Sequence, residues 1–377
     1  MFASATLANL AGLIVQGGSM NARSDVPSPT LERKCVVKHL GPWAQRGEST
    51  HGAVSVVAWL LAVQITVTGC GASSPTSPGP VAAPVLTVAS QAVEVGGSEF
   101  QLAWSGSGTT YEVSIGTSPG SSDVLTTDVA GVSTRWRAPR GGTYYARVKT
   151  KDGAGSASPE ITLVSVDLRD VIDALWFDSG PLSDSPTRPS FPSAPFAAWS
   201  DGLVVRIVMS TETADTTRLG AQRFLDQYGS ATDNAVTGTQ VVTEDAMHEL
   251  AFNQVPLNTV AVRVLRGWCA SFFLPVNTLG CAQGGAANGR GLVNLEFSNL
   301  RFIGHELGHA YGLWHLNIPV GAKLPPPMMF GAISAPSPYL EVEFSEMELQ
   351  AIRRVRAGGL RHGSQRRDAV ALRLVNP

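Results

Sequence analysis

The chain has 377 residues, more than the ~250–300 that one hydrophobic core usually organises, so at least two domains are expected. Lys and Arg number 28 against 30 Asp and Glu, and only 15% of residues are charged, which excludes the basic footprint of a nucleic-acid binder or of a protein held electrostatically on an anionic surface. Gly 39 and Pro 24 exclude a helical bundle and favour many short strands joined by turns.

In chain order, the first organised feature is the apolar run AVSVVAWLLAVQITV from Ala53 to Val67, preceded by Lys34, Lys38 and Arg46. A spanning helix needs about 20 such residues, so the run has the length of a signal-peptide core. Val67-Thr68-Gly69-Cys70 follows at once and resembles the bacterial lipobox, in which the cysteine is lipidated and becomes the first residue of the mature protein. The resemblance implies that residues 1–69 are an upstream segment and lipoprotein signal peptide, that Cys70 carries acyl chains, and that the protein is exported and held on a bacterial membrane. A buried helix ending in Gly-Cys is the alternative. Residues 70–84 are rich in Gly, Ser and Pro and carry no charge, as expected of a tether. Of the four cysteines, Cys35 is then removed and Cys70 acylated. Cys269 and Cys281 remain, either as a disulfide or as two free thiols.

Residues 85–166 have a period of two: Phe100, Leu102 and Trp104 share one strand face, and Tyr111, Val113 and Ile115 share the next. Gly-, Ser- and Pro-containing turns separate about seven such strands, which predicts a β-sandwich. Gly142-Thr143-Tyr144-Tyr145-Ala146-Arg147-Val148, with the Asp152-Gly153-Ala154-Gly155 turn after it and Trp104 before it, resembles a fibronectin type III domain. No titratable constellation stands out there, so spacing or adhesion is expected of it rather than chemistry.

Residues 167–199 read as a linker with a short helix over Asp170–Phe177 and a stretch dense in Pro, Ser and Asp. From residue 200 the pattern changes. Leu203–Met209 reads as a strand, Thr216–Tyr228 as a helix, and Gln240–Thr243 and Thr259–Leu265 as strands, the opening of an α/β or α+β domain.

At 305–315 the sequence is His305-Glu306-Leu307-Gly308-His309-Ala310-Tyr311-Gly312-Leu313-Trp314-His315. On a helix, His305 and His309 stack on one face at i and i+4 and can occupy two corners of a zinc tetrahedron. Glu306 brings a carboxylate beside the metal's open position, where it can take a proton from water. Gly312 can adopt the left-handed conformation that ends the helix and turns the chain, letting His315 return as third ligand. The bland reading is a helix with incidental histidines; the additional Gly and His make that coincidence rarer by a factor of about 500.

This string is the signature of the metzincin metallopeptidases, and the chain resembles their matrixin branch over about residues 200–357. That resemblance implies one catalytic zinc, a methionine turn at Met329 with Met328 as the alternative, and a C-terminal helix opened by the Ser345/Glu348 capping box. It also implies an edge strand that holds extended substrate, expected within Gly289–Phe297, while Trp314 is placed to shape the cleft. The interval from His315 to Met329 is longer than in compact matrixins. No cysteine-switch propeptide is visible.

The expected architecture is therefore multidomain: an all-β fibronectin III-like sandwich, then an α+β metzincin-like zinc peptidase domain (200–357) with a twisted mixed sheet and an active-site helix. A tail at 358–377 reads as a solvated extension. The expected function is zinc-dependent endopeptidase, with Glu306 as base, His305, His309 and His315 as ligands, and a protein or peptide as substrate. No nucleic acid is expected; structural calcium and oligomeric state are left open. The rivals are an adhesion lipoprotein with an inactive metal domain and a zinc hydrolase of a non-peptide bond.

Overall fold

The computed structural model describes residues 82–152, 155–183, 195–245, 247–269, 279–298, 300–330 and 343–377. The apolar run and Cys70 lie outside them. No helix among the described residues is long and apolar enough to cross a membrane.

Seven strands come first: β1 (Val85–Ala92), β2 (Glu99–Ser105), β3 (Thr110–Gly116), β4 (Leu125–Ala130), β5 (Ser133–Arg137), β6 (Gly142–Thr150) and β7 (Ile161–Ser165). They form a three-stranded sheet, β1-β2-β5, and a four-stranded sheet, β4-β3-β6-β7, antiparallel throughout. Alternation puts Phe100, Leu102 and Trp104 from one sheet and Tyr111, Val113, Ile115, Tyr144 and Val148 from the other into one closed core. Trp136 meets Tyr144 edge-on at 5.0 Å, and the Tyr144 hydroxyl donates to the Arg140 carbonyl four residues upstream. A buried phenol thereby finds a partner in the turn that precedes its own strand.

The second core begins with helix α1 (Leu168–Phe177), capped by the Asp167 carboxylate, which accepts from the Arg169 N–H. Eight of its ten residues are buried, and the apolar ones join the main core of the downstream domain. The segment expected as a linker thus contributes a core helix, because Val171, Ile172, Leu175 and Trp176 give it a continuous apolar face.

Next come β8 (Leu203–Ser210), α2 (Asp215–Ala231), β9 (Val236–Thr243), β10 (Thr259–Val264), β11 (Gly280–Gly285), β12 (Arg290–Leu295), α3 (Leu300–Ala310), α4 (Glu346–Ala357) and α5 (Arg366–Ala371). The sheet order is β11-β12-β10-β8-β9, with β9, β8, β10 and β12 parallel and β11 antiparallel on the edge. Helices α2 and α3 pack closely where a Cβ on Gly220 would strike Ile303 and the Leu300 carbonyl. Val205, Ile207 and Met209 of β8 belong to the same core as these helices, while Met247 and Val255 form a smaller core with Ala261 and Leu292.

Two expectations need correction. The strand at Gly289–Phe297 is β12, interior to the sheet; the edge strand beside it is β11, whose sequence GCAQGG lacks the β-branched residues that advertise a strand. The C-terminal segment is no solvated extension either: it carries α5, and Ala369, Leu374 and Val375 are buried in the second core.

Candidate metal centre

Helix α3 carries His305, Glu306 and His309, and the helix repeat alone sets them side by side. The helix ends in a Schellman arrangement: Gly312 N–H donates to the His309 carbonyl at 3.0 Å and Leu313 N–H to the Gly308 carbonyl at 2.9 Å, with Gly312 at φ 92°. Gly312 is also required by space, since a Cβ there would collide with the Ala197 carbonyl. The reversed chain returns His315 to the helix face. Its ring centroid lies 5.2 Å from that of His305 and 4.8 Å from that of His309, and the Nε2 atoms of His309 and His315 are 3.1 Å apart.

The tautomers follow from the partners. His305 Nδ1 lies 2.8 Å from the Met328 carbonyl oxygen, and His309 Nδ1 lies 2.8 Å from that of Leu313. A carbonyl only accepts, so each Nδ1 carries the proton and each Nε2 presents its lone pair. Burial, together with the neighbouring His305 and His315, holds His309 well below the usual histidine range and hence neutral. One ligand atom from each of the three histidines falls within a 4.8 Å group, so this nitrogen set fits one divalent metal ion.

Glu306 is buried, and burial pushes its carboxyl up to about 8. Its Oε2 has no hydrogen-bond partner among the described residues. A buried polar atom without a partner is costly, and here it sits one residue from a ligand, as expected of a group that receives a cation-bound or reacting species. Gly280, which opens edge strand β11, lies against it: a Cβ there would stand 2.6 Å from Glu306 Oε1. The strand is tied down one residue later by a disulfide joining Cys281 to Cys269, whose short loop contributes about 3 kcal/mol on the chain-entropy account.

Below the histidines, Met329 Sδ packs where a side chain on Gly308 would go, and Met328 supplies the carbonyl that orients His305. The two methionines therefore divide the work between them. Both are pinned by Glu348 of α4, a residue with no solvent exposure: Oε1 accepts from Met329 N–H at 2.9 Å and Oε2 from Met328 N–H at 3.0 Å. Oε2 also accepts from the Ser345 N–H and hydroxyl, both at 2.8 Å, completing the capping box. Burial raises the Glu348 carboxyl while these hydrogen bonds oppose the rise. The capping box is readable from sequence, but its second role is not, because nothing local links Glu348 to residues twenty positions upstream. Trp314 stands beside His315 with 39% of its surface exposed.

No protein-family model matches the chain, and no curated protein matches it. Among solved structures it is similar to a β-D-glucuronidase of Dictyoglomus thermophilum at 6% identity and TM-score 0.18, over 43% of this chain and 29% of that one. It is also similar to a β-1,2-glucanase from Parabacteroides distasonis at 16% identity and TM-score 0.16, over 41% of this chain and 21% of that one. The chain spans less than a third of either enzyme, and at such TM-scores neither likeness carries an argument about fold or function.

Proposed function

We propose that the protein is a zinc-dependent endopeptidase of the metzincin type, matrixin-like in its catalytic domain and preceded by a fibronectin III-like sandwich. The observation that carries this reading is the convergence of three imidazoles, each from the H-E-x-x-H-x-x-G-x-x-H string, beside a buried carboxylate with an unpartnered oxygen, with a methionine packed against Gly308 of the same helix.

Zinc held by His305, His309 and His315 would supply the Lewis acidity that polarises a peptide carbonyl and acidifies water. The chain's own groups do the rest. Glu306 takes the proton of the attacking water and passes it to the departing amine nitrogen as the C–N bond breaks. Its burial keeps bulk water from that carboxyl, so the proton is retained on the chain rather than lost to solvent. Among the described residues no strand pairs with the outer side of β11, whose main-chain donors and acceptors can take an extended peptide, and Gly280 keeps that side close to Glu306. An intact Glu306 weighs against an inactive adhesion protein, and an open strand edge favours a peptide over a non-peptide substrate.

The test is metal analysis combined with cleavage of a peptide library. Wild type is expected to hold one zinc per chain and to cleave internal peptide bonds, and Glu306→Ala to keep the zinc and lose cleavage. A protein that takes up no zinc, or a variant that cleaves as fast as wild type, overturns the reading.

A further inference from the structure

Helix α1 lies some 140 residues upstream of His315, yet it and the segment that follows it hold the chain on both sides of that histidine. The last four carbonyls of any helix lack an internal partner. In α1 one of these, on Leu175, accepts the Trp314 N–H at 2.7 Å. A few residues on, the Leu182 carbonyl accepts the Asn317 N–H at 2.8 Å. Between those two bonds, His315 has only Leu316 for company, and Leu316 N–H donates to the Met329 carbonyl at 2.8 Å.

Helix α1 is itself held from the far end of the chain. Asp173, 1% exposed, receives a two-pronged contact from Arg366 at the start of α5: Nε to Oδ1 at 2.8 Å and a terminal nitrogen to Oδ2 at 2.6 Å. The same terminal nitrogen donates to the Asn376 carbonyl at 2.9 Å, and the Asn376 amide donates to Asp170 at 2.8 Å. A planar guanidinium fixes both the distance and the orientation of a carboxylate, which a point charge does not.

We infer that Arg366 is a positioning residue for the metal centre: by locking Asp173 it fixes α1, and α1 fixes the backbone that presents His315 as third ligand. The inference rests on the zinc reading above. Groups that hydrogen-bond a metal ligand directly change metal affinity by roughly 10- to 100-fold when removed, and a residue acting through the backbone is expected at the lower end of that range.

The experiment compares Arg366→Gln with wild type and with two controls, Arg353→Gln, which breaks an exposed ion pair on α4, and Leu102→Ala, which destabilises the sandwich. Zinc affinity is read by competition with a chromophoric chelator, ligand geometry by the visible absorption of the Co2+-loaded protein, and the two backbone bonds by amide hydrogen exchange at Trp314 and Asn317. Arg366→Gln is expected to lower zinc affinity about 10-fold or more, to alter the Co2+ spectrum, and to speed exchange at both amides, with neither control doing so. A folded Arg366→Gln with wild-type affinity, spectrum and exchange overturns the inference. Should that variant fail to fold, Asp173→Asn with Arg366→Gln, which leaves no charge unpaired, is judged by the same criteria. If wild type takes up no metal, the zinc reading fails, and exchange at the two amides alone decides whether Arg366 governs this backbone.

Discussion

Glu348→Gln is the sharpest probe of how the methionine turn is held. The substitution keeps the shape of the side chain but replaces one acceptor oxygen with an NH2 group. If the amide oxygen takes the Oε2 position, it still accepts from Met328 and Ser345, without the strength that a charged acceptor brings. The NH2 then faces the Met329 N–H, donor against donor, in a site without solvent. One orphaned buried donor costs about 1–3 kcal/mol, and weakening the remaining bonds adds roughly 1 kcal/mol, for a total of about 2–4 kcal/mol. With a slope of about 1–3 kcal/mol/M, the urea midpoint should fall by on the order of 1 M. Ser345→Ala removes the cap and one of the donors to Oε2 but leaves both methionine N–H bonds in place, and should cost only about 1 kcal/mol. Because Met328 also orients His305, zinc affinity should fall with Glu348→Gln and stay near wild type with Ser345→Ala. The reasoning is refuted if Glu348→Gln unfolds at the wild-type midpoint, or if the two variants prove equally destabilising.

Two further outcomes follow. In the metal-free protein Glu306 has its carboxyl raised to about 8 by burial, against an ordinary value of 4.5. The folded state then holds a proton that the unfolded state releases, so stability should decline as pH rises from 4.5 to 8, by on the order of 5 kcal/mol, and level off above. Glu306→Gln should lack that decline, and parallel urea-midpoint profiles for the two proteins between pH 5 and 8.5 would contradict it. For the amino-terminal segment, a mass spectrum of membrane-fraction protein should show a chain beginning at acylated Cys70; an unmodified chain beginning at Met1 would rule out the anchor.

The residues of the candidate metal centre were legible because they are local. Three histidines and a glutamate within eleven residues are placed by the helix repeat and one glycine turn, and both are properties of short sequence. The period of two in β2 and β3 and the Ser345/Glu348 cap are legible for the same reason. What the sequence hid depends on contacts between distant segments. Strand β11 was not legible because its Gly280, Gly284 and Gly285 leave room for Glu306, Phe252 and Ala310, so its residues answer to close approach rather than to strand propensity. Helix α1 looked like part of a linker because its apolar face has no visible partner until α4 and the C-terminal segment are folded against it. Glu348 reaches the methionine turn across 19 or 20 positions, and Arg366 reaches Asp173 across 193. Spacing along a chain encodes geometry only within one element; beyond that, partners are chosen by which buried charge and which unfilled carbonyl packing brings together. The sequence alone therefore determined which side chains form the site, and the tertiary structure decided what holds them there.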